Sequence, residues 1–284
     1  YLSFPTIFGF NPFGNTMDNV VDEYNRRATI IENSGISELE QNRAKQRALS
    51  ESFFEKLEAF SISSGAARKF LPAPNYGITW EGLENWGIWS SYVKKVRLEH
   101  RYSSIYDESI KITDKGEAYE NQMVQYGFQP MLGVSWTFDE EKLDGQLTAN
   151  LRWNSTTNFS LNSSSRSIIQ KTNTNEISAQ ANYTMKSFEW EFLGLSLKNN
   201  IEYSFLFSIK DNSRATFDVS DEASLDGNEG RELQGDTQIT LEPRIRYSIS
   251  NRVTASFFFR YDATLTAGAA NPGFSTTQVG LDLR

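Results

Sequence analysis

A single histidine, His100, stands in a chain without cysteine, so thiolate and polyhistidine metal centres have no material here, nor do cysteine-based triads. The missing cysteine is compatible with any redox compartment. His100 is in phase with Val96, Leu98 and Tyr102 on an alternating segment. That puts it on an apolar face near an interface, where an imidazole can reach lipid headgroups. A hydrolytic dyad on the outside of a barrel is the enzymatic chemistry left to it, and no Gly-Xaa-Ser-Xaa-Gly motif supports one. The acidic run Asp218, Asp221, Glu222, Asp226, Asn228 and Glu229 offers oxygen ligands for Ca²⁺ but lacks EF-hand spacing, and reads as a solvated loop. No catalytic, cofactor-binding or metal-binding residue is expected.

Other charges recur at every second position. Arg97, Glu99 and Arg101 alternate in one segment, and Arg152 belongs to a second. Glu202 and Lys210 lie in a third, followed by Glu242, Arg244 and Arg246, then Arg260 and Asp262, and finally Asp282 and Arg284. A face carrying these charges must be wet. The opposite phase carries Leu132, Val134 and Trp136; Leu151 and Trp153; Tyr203, Phe205 and Phe207; and Leu241 and Ile245. It continues through Phe257, Phe259 and Tyr261 to Val279 and Leu281. Over seven segments that phase holds about 42 positions with no Asp, Glu, Lys or Arg. At 23% charged residues, chance gives this on the order of once in 10³ sequences, even with the phase of each segment chosen freely. Within residues 252–265, Phe258 alone breaks the polar phase.

The elements that must position these residues are strands. The 284 residues are only 38% hydrophobic, with a mean hydropathy of -0.51, yet 13% are aromatic, which argues against wholesale disorder. No apolar run is long enough for a membrane helix. A net charge of -8 offers no basic surface for nucleic acid. Tyr1 is not a start residue, and the chain is expected to be the C-terminal portion of a longer polypeptide.

Residues 1–10 read as a strand, and 11–72 as a helical extracellular insertion. Residues 73–284 read as antiparallel barrel strands, giving about ten strands in all. In the insertion Met17, Val20, Val21, Tyr24, Ala28 and Ile31 form one helical stripe, with Thr16 as N-cap and Gly35 as stop; Leu49, Phe53, Leu57 and Phe60 form a second. Taken backwards from Arg284, the gaps between strands run about 9, 3, 25, 12, 12, 7, 20, 9 and 62 residues, most of the longer ones on one side. Short turns on one side and long loops on the other, with a wet face opposite an apolar one, describe an outer-membrane barrel. The charged phase then lines the lumen, the apolar phase meets lipid, and the helices cap or gate the pore or elaborate its rim. Pro243 suggests a bulge or a weakly paired edge.

The segment LPAPNYGITWEGL, Leu71 to Leu83, resembles the Pro-Xaa-Pro-Asn-aromatic, Thr-aromatic-Xaa-Gly-Leu motif of the SprA/Sov family, with Tyr76 where that family usually has Trp. MDNVVDEYNRRATIIE, VRLEHRYSSIY, FQPMLGV, FLFSIKDN and GFSTTQVGLDLR resemble further family segments in the same order. These gliding-motility and secretion proteins form the outer-membrane translocon of the type IX secretion system. The resemblance implies a very large barrel completed by other strands of the same polypeptide. It also implies export of folded cargo proteins with C-terminal signals, and exchange with a PorV-like shuttle barrel and a plug protein. Alternatives from other classes are a separate small barrel, either porin or enzyme, and a cell-surface adhesion barrel.

Overall fold

A computed structural model describes residues 16–57, 75–85, 87, 92–113, 116–162, 168–192, 195–219, 231–250, 252–267 and 273–284. The strand expected at 1–10 and most of the acidic run lie outside these residues. The described chain is mostly antiparallel sheet. Nine strands run in chain order: β1 (Tyr76–Glu81), β2 (Val93–Thr113), β3 (Gly116–Phe138), β4 (Gln146–Asn162) and β5 (Ile168–Phe192), then β6 (Leu195–Asp218), β7 (Arg231–Ser248), β8 (Thr254–Ala267) and β9 (Phe274–Leu283). Each pairs only with its neighbours in sequence, and among the described residues β1 and β9 are not paired with each other. No helix among the described residues is long and apolar enough to cross a membrane.

The expected loop asymmetry is corrected. Only two residues separate Thr113 from Gly116, two separate Phe192 from Leu195, and five separate Asn162 from Ile168. Much of what reads as long gaps is strand, because the hydrogen-bonded ladders of β2 to β6 continue past the end of the apolar alternation. β5 has 25 residues and β6 has 24. The asymmetry therefore lies in strand extension toward the β2–β3, β4–β5 and β6–β7 tips. Pro243 also departs from expectation: β7 is an interior strand, and its ladder to β6 passes Pro243 without a register shift. On the other side the pairing to β8 skips Glu242 and Pro243, then resumes at Arg244 in the same register.

The helical hairpin forms where the stripes require it. α1 (Thr16–Glu32) and α2 (Glu38–Leu57) meet at Gly35, whose φ of 69° suits glycine. Ser37 opens α2 with a capping box: Glu40 N–H donates to Ser37 Oγ at 3.4 Å, and Ser37 N–H donates to Glu40 Oε2 at 3.2 Å. Arg27 ties the hairpin by reaching Glu23, Glu51 and Glu55 at 2.6, 2.9 and 2.7 Å. Met17, Val20, Val21 and Tyr24 from α1, with Ala48, Leu49 and Phe53 from α2, are buried. They join Val124, Tyr126, Phe159, Leu161, Ile169 and Phe217 of the sheet in one apolar cluster. A four-residue α3 (Glu140–Leu143), N-capped by Asp139, links β3 to β4.

Candidate functional site

Register turns the alternation into two continuous faces. One row places Trp80, Leu98, Val134, Leu151, Ala179, Phe207, Leu241, Tyr261 and Thr277 side by side across all nine strands. The flanking rows add Trp136, Phe205, Pro243 and Val279 on one side and Leu132, Trp153, Ile177 and Ile209 on the other. Two further rows carry Tyr203, Ile245, Phe257 and Leu281, then Ile201, Tyr247 and Leu283. On β6 this band runs from Ile201 to Ile209, nine residues, which matches the 9–11 residues of a tilted membrane-crossing strand. Many of its large side chains are exposed, with Phe205 at 42%, Phe257 at 47% and Leu281 at 70%. All fifteen apolar-phase residues expected on one face lie on it, including the less exposed Phe259.

The opposite face gathers the charged residues into two ion-paired zones. On β1 to β4, Arg97 meets Glu99 at 2.9 Å, Arg152 meets Glu99 at 3.5 Å, and Lys95 meets Glu81 at 3.3 Å. On β6 to β9, Arg246 meets Glu202 at 3.6 Å, Arg244 meets Glu242 at 2.8 Å, and Arg260 bridges Glu242 at 3.6 Å and Asp262 at 2.6 Å. Arg284 meets Asp282 at 2.7 Å. Between the zones, the facing positions of β5 and β6 are neutral at this height: Gln180 beside Leu206, and Ser178 beside Ser208. Arg101 and Lys210 share this face farther along their strands. Exposed pairs of this kind contribute only about 0–1 kcal/mol each, so their main effect is a wall of balanced charge.

Phe258, the exception to the polar phase, has a physical reason. It pairs with Gly280, where an added Cβ would lie 2.3 Å from the phenyl ring, so the ring packs over the bare glycine backbone. The Arg244 guanidinium covers the ring, 5.3 Å from its centroid.

His100 sits at a two-residue bulge of β3. From Glu99 to Tyr102 on β2, the partner β3 spends five residues, Gly133 to Phe128, and the ladder to β4 shifts at the same place. Gln129, Pro130 and Met131 have no cross-strand partner in either ladder, and the Gln129–Pro130 peptide is cis. His100 Nδ1 lies 2.6 Å from the Met131 carbonyl oxygen and must donate to it, because a carbonyl can only accept. In the neutral ring Nε2 is then the acceptor for the Tyr76 hydroxyl at 3.2 Å. Tyr76 stacks on Tyr102 at 5.7 Å, and His100 leans on Phe128 at 5.2 Å. The imidazole therefore brackets the bulge, an arrangement that sequence alternation could not show. Among the described residues no cluster of acidic, His or Cys side chains could hold a metal ion.

Beyond the apolar band, toward the long tips, the same face changes character. Ser155, Asn175, Asp211 and Thr237 form one polar row, with Thr157, Asn173 and Ser213 in the next. Past these lie Val124, Phe159, Leu161, Ile169 and Phe217, the patch that α1 and α2 cover. The helices thus lie on the apolar-phase face of the sheet, not on the charged one. Compared with known proteins, the chain matches no family model and no curated protein.

Proposed function

We propose that this chain is a stretch of the wall of an outer-membrane protein-conducting channel of the SprA/Sov kind, exporting folded cargo in type IX secretion. The observation that carries the reading is the strict separation of faces: an exposed apolar band nine residues deep, backed by balanced, ion-paired charge. Lipid on the first face and water on the second satisfies both, and the antiparallel ladders satisfy the backbone. In a bilayer the two outer strands, β1 and β9, need further strands beside them, which fits a larger barrel in the same polypeptide. A PorV-like shuttle and a plug protein are the partners this reading gives it. In this reading His100, engaged at both ring nitrogens, is a structural residue of the wall.

These 284 residues contain no cysteine, so single cysteines placed among them allow a direct test in a full-length polypeptide whose cysteines elsewhere, where present, are replaced by serine. Single cysteines at Phe205, Ile245 and Val279, labelled with an environment-sensitive fluorophore, are expected to be quenched by a lipid-dissolved quencher. Labels at Arg97, Glu202 and Arg260 are expected to respond to an aqueous one. The reverse pattern, or water at both sets, overturns the membrane reading. A disulfide between cysteines placed at Trp80 and Val279 would mean that β1 and β9 meet, and would replace the large channel with a small closed barrel. Depletion of the polypeptide should leave folded cargo in the periplasm; undiminished surface export would exclude the translocon role.

A further inference from the structure

We infer that the outward face carries a collar that holds the sugar headgroups of the lipid around it; this rests on the reading that the apolar band meets lipid. The change of chemistry above the band is abrupt. Within one row of Trp153, Ile177, Ile209 and Ile239, the register puts Ser155, Asn175, Asp211 and Thr237. Ser155 Oγ donates to Asn175 Oδ1 at 2.7 Å, Thr157 Oγ1 donates to Asn173 Oδ1 at 3.0 Å, and Thr237 Oγ1 donates to Asp211 Oδ1 at 2.9 Å. Asn175 and Asp211 are exposed. At the same height on β1 and β2 the surface is aromatic, with Tyr76 47% exposed and stacked on Tyr102.

The collar is two rows tall, about 13 Å along the strands, with the apolar band below it and the helix-covered patch above. That is the height at which the headgroups of an outer leaflet stand. The amide, hydroxyl and carboxylate groups of β4 to β7 and the exposed Tyr76 ring, three or more strand spacings (about 14 Å or more) along the same row, suit an extended polyhydroxylated ligand: the polar groups exchange hydrogen bonds with sugar hydroxyls, and the ring covers a C–H face. Phosphate is a poorer match. Among the described residues the two rows contain neither Lys nor Arg, and Asp211 would repel an anion. The first cation on this face, Lys171, stands a row higher over the Phe159 ring. The ligand class is therefore a glycolipid whose saccharide begins at the membrane surface.

The test uses the full-length polypeptide in detergent, incubated with micelles of lipopolysaccharide, of phosphatidylethanolamine, or of phosphatidylglycerol. Retained lipid is measured by mass spectrometry after gel filtration. Saturable retention of lipopolysaccharide is expected, well above the other two and at least about fivefold lower in an Asn175→Ala/Asp211→Ala variant. Should that variant melt lower, Asn175→Asp, which keeps an acceptor for Ser155, serves in its place with the same expectation. Equal retention by the variant, or equal retention of phosphatidylethanolamine or phosphatidylglycerol, overturns the collar. Lipid contact at Phe205 without sugar selectivity removes the collar alone, whereas no lipid contact at Phe205 removes the membrane reading beneath it.

Discussion

The imidazole of His100 donates to the carbonyl oxygen of Met131, 2.6 Å away, and so satisfies one of the backbone groups that the two-residue bulge of β3 leaves without a ladder partner. Replacing it with Phe keeps the ring but removes the donor. His100→Phe should lower stability by about 1–2 kcal/mol, the cost of a part-buried carbonyl left without its donor, and Tyr76→Phe by about 0.5–1 kcal/mol. Urea midpoints of the two variants check the order. A larger loss from Tyr76→Phe would put the bracket elsewhere.

Phe205 lies in the middle row of the apolar band and Ser204 beside it on the polar face. Phe205→Arg should cost about 2–4 kcal/mol at the midplane and reduce the amount assembled in the outer membrane. Ser204→Arg should assemble normally. The yield of heat-modifiable folded protein distinguishes the two.

In the helical hairpin, hydrogen bonds from Arg26 and then Arg27 hold the Glu23 carboxyl at about 2, well below its ordinary 4.5. A depressed carboxyl contributes stability that is fully present above the unfolded value and is lost as pH falls toward about 2. Protection factors over residues 16–57, corrected for the intrinsic exchange rate at each pH, should therefore be constant above about pH 5 and fall steadily between about pH 4.5 and 2. Glu23→Gln should abolish most of that pH dependence.

Phe53 and Leu49 are fully buried between the helices and the sheet. Phe53→Ala should cost about 3–5 kcal/mol locally and free α1 and α2 from the patch at Phe159 and Phe217. Limited proteolysis at the Gly35 turn reports the release, while the ladders of β5 to β8 should keep their protection.

Gly280→Val should clash with Phe258 and weaken the β8–β9 pairing, with the loss largely restored by adding Phe258→Ala. Restoration in the double variant separates a steric cause from a propensity effect.

The alternation at Phe205 and Glu202 or at Phe257 and Arg260 made the strands and both faces legible, because a strand's period is fixed by its geometry. The helix stripes were equally plain, and Met17, Val20, Leu49 and Phe53 are buried as their spacing predicts. Strand ends were not legible. Past Trp153 the apolar phase passes through Ser155 and Thr157 before Phe159, which reads as one continuous face and is two patches separated by a polar stretch. Neither the partner of that patch nor the role of His100 could be read, since both depend on residues far apart in the chain. The helices pack on the apolar-phase face, where Phe159, Leu161 and Phe217 offer them an apolar surface.

The strand order itself has a consequence for how the protein comes into being. Because every neighbour in the described sheet is also a neighbour in the chain, none of β2 to β8 must wait for a distant segment to arrive. Each hairpin closes a short stretch of polypeptide, which keeps the entropic cost of every step low. Assembly can proceed one hairpin at a time, with the last strand laid down serving as the template for the next.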